Sequence, residues 1–170
     1  MAAESIYAAY NSAAPGAAGP VSQPTGTAIR TLLQIAVPST RQFKIVEWGI
    51  SFDGSAAATP IKCELLTCSG AATMTTALSA ADIVSLSDPL GPASLTTFST
   101  ALTAFASAAV TEGTLTSVRL ADGQLVAPTA QYIKQWPLGR EPLAPASSFI
   151  RVRVTAAATV NAICYVVWGE

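Results

Sequence analysis

The chain has 170 residues, of which 51% are hydrophobic and only 11% are charged, and its formal net charge is −1. A chain of this length is most simply one domain. An ordinary soluble domain carries about 25% charged residues, so we expect something other than water to cover part of this surface. The basic residues are spread along the whole chain, which argues against the clustered footprint of a nucleic-acid-binding protein.

Membrane insertion and export are not expected. No apolar run approaches the 18 or so residues of a membrane span, and the segment up to Pro20 lacks the basic and apolar regions of a secretory signal. The chain has no histidine, which removes Ser-His-Asp and Cys-His catalysis and the commonest metal ligand. Three cysteines, Cys63, Cys68 and Cys164, lack metal-ligand spacing and are predicted to be buried, reduced thiols. We therefore expect no metal or cofactor.

Residues 1–28 form a segment of different composition. It consists mainly of Ala, Gly, Pro, Ser and Thr, with two isolated tyrosines, Tyr7 and Tyr10. Such a composition cannot build a core of its own. The segment is predicted to be an extended N-terminal arm that becomes ordered on another subunit, and packing on its own domain is the alternative.

Residues 29–170 are predicted to form a single domain of short strands. Apolar or alternating runs bounded by Gly and Pro predict strands over residues 28–37, 43–53, 61–68, part of 93–109, 114–120, 131–136, 149–156 and 162–168. Ser79, followed by Asp82 at the third helical position, predicts one short helix between them.

The run "FKIVEWGISFD" alternates with a period of two residues. One face is predicted to be buried and to consist of Val46, Trp48, Ile50 and Phe52, and the other face carries Ile45, Glu47, Ser51 and Asp53. The Asp53-Gly54 pair then marks the end of this strand.

Two further runs near the C-terminus have different patterns. In "FIRVRVTA", Ile150, Val152 and Val154 are predicted to face inward, while Arg151 and Arg153 face outward. In "NAICYVVWG" nearly every residue is apolar, which is typical of a central strand with both faces covered. A short connection makes these two strands an antiparallel hairpin.

The pattern as a whole predicts an all-β protein. About eight short strands without strand–helix alternation are typical of an antiparallel β-sandwich or barrel. A jelly-roll-like sandwich is the first choice. An immunoglobulin-like sandwich is the second, although Trp48 does not lie between two cysteines that could form a bridge.

Carboxylate chemistry is the remaining route to an enzyme, and we do not expect it. Glu47 and Asp53 lie six residues apart on one strand face, roughly 20 Å, whereas glycosidase carboxylates lie ~5 to 10 Å apart. Glu47 and Glu64 could approach if their strands pair, but both occupy outward positions near lysines, where a salt bridge is the better interpretation. No glycine-rich phosphate-binding motif is present.

The segment "QYIKQWPLGREPLAP" has residue types that are enriched in protein interfaces. Its predicted interface residues are Tyr132, Trp136, Arg140 and Glu141, to which the arm adds Tyr7 and Tyr10. Two alternatives remain open: in one, Trp136 caps its own core, and in the other, Trp136 or Tyr132 binds a sugar.

The arm "ESIYAAYNSAAPGAAGPVSQPTG", the strand "FKIVEWGISFDG" and the hairpin "FIRVRVTAAATVNAICYVVW" together cover less than half of the chain. In these segments the chain resembles the small β-sandwich and jelly-roll proteins that decorate or cement the heads of tailed bacteriophages. The resemblance implies a non-enzymatic virion protein on the outer capsid surface, assembled in the host cytoplasm. Its implied partners are the major capsid protein and further copies of itself, commonly as a homotrimer, with no nucleic acid or membrane.

Two other structural functions stay open beside that resemblance. One is a receptor- or glycan-binding domain of a tail or head fibre, for which a saccharide pocket lined by Trp136 or Tyr132 is expected. The other is a jelly-roll capsid shell protein, although the basic arm that such proteins often carry is missing.

Overall fold

A computed structural model describes residues 4–13, 19–55 and 58–170 of the chain. Its strands, in chain order, are β1 (Ile6–Tyr10), β2 (Gln23–Pro24), β3 (Ile29–Ala36), β4 (Phe43–Phe52), β5 (Ile61–Cys68), β6 (Thr73–Ala77), β7 (Ile83–Ser85), β8 (Ala106–Thr111), β9 (Arg119–Val126), β10 (Gln131–Gln135), β11 (Leu143–Ala144), β12 (Phe149–Thr155) and β13 (Asn161–Gly169). A 3-10 helix spans Ala80–Asp82, where the short helix was predicted, and the backbone N–H of Ser79 donates to the Asp82 carboxylate.

The strands form two antiparallel sheets that pack together, which confirms the predicted all-β sandwich. The seven-stranded sheet has the order β10-β4-β13-β1-β7, with β11 also pairing with β4 and β2 with β13. The six-stranded sheet has the order β6-β8-β3-β12-β5-β9. Eight strands also follow the order of a jelly roll, the first choice from the sequence. Taken in chain order as β1, β3, β4, β5, β9, β10, β12 and β13, they pair as β1-β13-β4-β10 in one sheet and as β3-β12-β5-β9 in the other. Since β12 and β13 lie in different sheets, the prediction that they form an antiparallel hairpin is wrong.

A single large hydrophobic cluster lies between the sheets. Trp48 and Trp168 are fully buried in it, and the Trp168 ring stacks on Phe43 with 5.9 Å between ring centroids. Aromatic pairs in this geometry contribute about 0.5–1.5 kcal/mol beyond the burial of their area. Trp48 is therefore a packing residue, as predicted.

The alternation of β4 is broken by a bulge, which corrects part of the prediction. Val167 of β13 lies opposite Glu47, but the next residue, Trp168, lies opposite Ile45. Val46 is the extra residue and is half-buried, whereas Ile45 is fully buried. Because one inserted residue reverses the face of every side chain before it, the prediction that Val46 is inward and Ile45 outward is wrong.

The predicted arm is also corrected. β1 pairs with β13 on one side and β7 on the other, and β2 pairs with β13. Tyr7 is only 2% exposed, and its ring lies 6.1 Å from that of Trp168. Residues 6–10 thus supply an interior strand to their own domain, and the boundary predicted at residue 28 does not separate them from it. Residues 1–3 and 14–18 of the arm lie outside the described residues.

Two strand predictions are displaced. The strand predicted over residues 114–120 is observed as Arg119–Val126, and the strand within residues 93–109 begins only at Ala106. Between β7 and β8 the chain crosses from one sheet to the other. In this crossing, the Pro92 carbonyl accepts a hydrogen bond from the Tyr7 hydroxyl, and the backbone N–H of Thr97 donates to the Ala36 carbonyl. Backbone partners in this crossing come from distant elements, so local periodicity does not locate them.

The outer side of the six-stranded sheet is partly covered by loops. Arg151 points to this outer side, as predicted, but it does not reach solvent. Arg151 is fully buried; it donates 3.0 Å to the Glu112 carbonyl and also bonds the Gly70 carbonyl. Its neighbours across the sheet, Gln34 and Leu66, are buried as well. We call Gln34, Leu66, Cys68 and Arg151 the covered face.

Candidate interaction surface

Tyr132 and Trp136 lie on the core-facing side of the edge strand β10 and its continuation. Tyr132 packs against Trp48, with 5.5 Å between ring centroids, and donates a 2.8 Å hydrogen bond to the Asp122 carboxylate. Burial and this carboxylate raise the pKa of Tyr132 to about 12. Trp136 is half-buried and packs against the same core. Trp136 therefore caps its own core, as the first alternative stated. Both rings pack against the core, so neither is available to stack on a sugar.

Arg140 and Glu141 lie in a loop that leaves the sheet between β10 and β11. Arg140 N donates 2.9 Å to the Pro137 carbonyl, and Gly139 at φ +82° closes the turn. Positive φ at the third turn residue is typical of a type II turn, which favours glycine there. At the tip of this turn Leu138 is 93% exposed, and Arg140 is exposed beside it.

Tyr7 and Tyr10 lie on β1, which β4 and β13 separate from β10. Tyr7 is buried in the core, which removes it from any surface of the folded chain. Tyr10 is half-buried on the outer side, with its ring 5.7 Å from that of Tyr165. The structure therefore does not bring the two predicted groups of interface residues together.

The outer side of the seven-stranded sheet is the larger candidate surface. Cross-strand register places residues in rows across it, and those at the edges are the most exposed, while Ala8, Gly49, Val167 and Gly169 within the rows are buried. The rows are Ile133, Gly49, Tyr165 and Tyr10; Gln131, Ser51 and Ile163; Gln135, Glu47, Val167, Ala8 and Val84; and, at one end, Leu143, Lys44, Gly169 and Ile6. We call this set the open face.

The middle of the open face is built around Tyr165. Its ring lies over Gly49, where an added Cβ would come within 2.5 Å of the ring, so only glycine allows this approach. The Tyr165 hydroxyl donates to Glu47 Oε1. Burial and the Glu47 carboxylate raise the pKa of Tyr165 above its ordinary value. The hydrogen bond thus occupies the one acidic side chain that the rows place within the face.

Apolar groups line both edges of this face. Ile133 and Leu143 are about half exposed at the β10–β11 edge, and Val84 is 38% exposed at the β7 edge. A shallow depression of about 180 Å³ lies near its centre, lined by Tyr10, Ile50, Ser51, Gln131, Ile133, Ile163 and Tyr165. Antiparallel sheets at the surface usually turn a polar face to water. An outer face rich in Ile, Val, Tyr, Ala and Gly is instead typical of a protein-binding surface.

The acidic side chains of the chain are largely engaged in internal contacts. For nine of the ten, a side-chain oxygen accepts a hydrogen bond from another residue: Glu4, Glu47, Asp53, Glu64, Asp82, Asp88, Glu112, Asp122 and Glu170. Glu47 and Glu64 lie on different sheets.

Glu64 shows what one of these carboxylates does. Its side chain makes ion pairs of 2.7 Å with Lys62 and 3.0 Å with Arg153. Burial tends to raise the pKa of Glu64, but the two cations outweigh it and hold the pKa below its usual value. The salt bridge predicted for this residue is therefore present, with partners on its own strand and on β12.

The three cysteines are free and buried. Burial raises the pKa of Cys63 to about 12 and raises the pKa values of Cys68 and Cys164, so none of them is a ready nucleophile near neutral pH. Across residues 4–13, 19–55 and 58–170, no group of three His, Cys, Asp or Glu side chains is placed to hold a metal ion. Within the same ranges, no helix has the length and apolar character needed to span a membrane.

Tyr10 is the one predicted interface residue within the open face. The other residues of this face were not predicted to form an interface, although the sequence contains a signal for Ile133. In "QYIKQ" the position of Ile133 is opposite in parity to Tyr132, so one of the two must point away from the core. In β13 the apolar run was interpreted as covered on both sides, whereas Ile163 and Tyr165 are half-buried. Comparisons with protein-family models, characterised proteins and solved structures find no match for this chain.

Proposed function

We propose that this chain is a non-enzymatic structural protein of a virus particle. In this proposal it decorates the outer surface of a bacteriophage capsid and stabilises it by binding neighbouring shell subunits, with the major capsid protein and further copies of itself as partners. The resemblance noted in the arm, in β4 and in the segment from β12 to β13 suggests this role, and it implies trimers on the shell.

The observation that carries the proposal is the open face. It offers apolar side chains from five strands and few charges, which suits a contact with another protein. The engagement of nine acidic side chains and the burial of the three thiols also favour binding over catalysis.

The stabilising mechanism is mass action. A protein that binds the assembled shell, and not its separated subunits, stabilises the shell by RT ln(1 + [L]/Kd) for each occupied site. At a concentration 100-fold above Kd this amounts to about 2.7 kcal/mol a site. Many weak sites on one shell therefore add to a large resistance to disassembly.

A head-binding experiment tests the proposal. Heads purified from a phage that lacks this gene are mixed with the chain, pelleted and then heated. We expect the chain to co-sediment with the heads in a saturable ratio and to raise the temperature at which they release DNA. A chain that stays in the supernatant at saturating concentration contradicts the proposal. Binding to a glycan array instead would favour the fibre-domain alternative, which the packing of Tyr132 and Trp136 against the core makes weaker.

A further inference from the structure

Within the rows of the open face, Lys44 and Glu47 are the only charged residues. Ile133 is 54% exposed at one edge and Val84 is 38% exposed at the other. We propose that this face binds the open face of a second copy of the chain, about a two-fold axis. The inference rests on the proposed function only in treating the face as protein-binding, and it offers a two-fold pair in place of the implied trimer.

The charges of the face favour a second copy over other occupants. Within the rows, Glu47 is bonded to Tyr165, and Lys44 at the rim makes a 2.9 Å ion pair with Glu4. A nucleic acid or an anionic membrane would need free cations here, and a basic peptide would need free carboxylates. When the face meets itself, neither is needed. The net charge of −1 also leaves little repulsion between copies.

The shape of the open face is compatible with two-fold pairing. An isologous contact requires each projecting group to have a matching recess on the same surface. Ile133 is 54% exposed on β10, and it lines the depression of about 180 Å³ together with Tyr10, Ile163 and Tyr165. An axis near the rim of the depression places Ile133 of each copy in the depression of the other.

The size of the face meets the lower limit for a stable pair. Its five strands contain between three and ten residues each. At about 3.3 Å a residue and 4.8 Å between strands, they cover a projected area of about 500 Å². Two such faces bury about 1,000 Å² together, which is the threshold that separates biological interfaces from incidental contacts.

Light scattering coupled to size-exclusion chromatography tests the pairing. We expect the wild-type chain to have twice the 17.4 kDa mass of one copy, and Ile133→Glu to raise the dissociation constant of the pair at least tenfold. The matched control is Leu125→Glu, since Leu125 is 74% exposed on β9 of the other sheet and should leave the mass unchanged. Val84→Glu, at the far edge of the face, serves as a second variant, and circular dichroism confirms that each variant folds.

The outcomes separate this inference from the proposed function. A wild-type monomer at every concentration overturns the pairing, and so does an oligomer that both Ile133→Glu and Val84→Glu leave intact. If the monomer still binds phage heads, the proposed function stands without the pairing. A pair that dissociates in both variants supports the inference even when the chain does not bind heads.

Discussion

The outer sides of the two sheets differ in what covers them and in the residues that they carry. The covered face of the six-stranded sheet holds a buried arginine, and loops from residues 69–73 and 112–116 close over it. The open face of the seven-stranded sheet holds mainly apolar and small residues, of which Ile133, Leu143 and Val84 at its edges are exposed. Within the described residues, the Arg151 guanidinium on the covered face bonds two carbonyls through its terminal nitrogens, and its buried Nε has no hydrogen-bond partner. The apolar outer side is left for another molecule. The surface available for binding is the one with fewer polar groups to satisfy.

Arg151→Ala is expected to have the largest effect, because it empties the covered face. Its guanidinium bonds the carbonyls of Gly70 and Glu112, and Nη1 lies 3.6 Å from the Glu112 carboxylate. Removing one partner of a buried ion pair costs about 3–5 kcal/mol. We expect a loss in this range from urea unfolding. Arg153→Ala is the control. It should lose less than half as much unfolding free energy, because Glu64 still has its ion pair with Lys62. Equal losses in the two variants would show that closure of the loops does not depend on Arg151.

Gly113→Ala tests how tightly the two loops of the covered face meet. Gly113 has φ +65°, and an added Cβ would overlap the carbonyl oxygen of Ala71. Backbone strain and overpacking together are expected to cost about 3 kcal/mol. Gly139 has φ +82° and open space around it. Gly139→Ala therefore adds backbone strain without overpacking and should cost about 1 kcal/mol of unfolding free energy. Thermal unfolding of the two variants measures the difference, and similar melting temperatures would contradict the close approach.

Tyr165→Phe makes the corresponding change on the open face. The ring that covers Gly49 is kept, and only the hydrogen bond to Glu47 is lost. Because this bond is partly exposed, we expect a loss of about 1 kcal/mol or less in urea unfolding. Tyr165→Ala, which also uncovers Gly49, should lose several times more. If Tyr165→Phe costs as much as Arg151→Ala, the contrast between the two faces is wrong.

A last prediction is restricted to alkaline pH and concerns the side of the sandwich, where Tyr132 and Asp122 link β10 to β9. The pKa of Tyr132 is about 12 in the folded chain, against 10.0 ordinarily. Between these pH values the folded chain holds a proton that the unfolded chain has released, so this contribution is complete below pH 10 and is lost as pH rises towards 12. In Tyr132→Phe the free energy of unfolding should fall less steeply between pH 10 and pH 12 than in the wild-type chain. Urea unfolding at a series of pH values measures this slope. An unchanged slope would contradict the raised pKa.

The sandwich was predictable because most of its strands have a local pattern of apolar and polar residues that indicates a strand. The prediction for Ile61–Cys68 matches the observed strand, and those for residues 149–156 and 162–168 are within one residue of theirs. β4 was predicted with correct limits to within a residue, but its bulge was not, because the extra residue is defined only by its pairing with β13.

The candidate surface was less predictable. Trp136 and Tyr132 have the residue types of interface centres, yet both pack inward, since composition does not state which side of an edge strand meets the core. Tyr7 was assigned to an arm because its flanking residues are small and polar. Its burial depends on Trp168 and on the Pro92 carbonyl, which are distant in sequence.

The sequence by itself determined the class of fold, the course of most strands and the lack of histidine chemistry, since these follow from local alternation and from composition. Only the tertiary structure decided that β1 enters the sheet, that Arg151 is buried while Ile133 is exposed, and that one outer side is covered and the other open. Alternation separates the two sides of a strand. Which side meets water depends on the loops and strands that the fold brings over it.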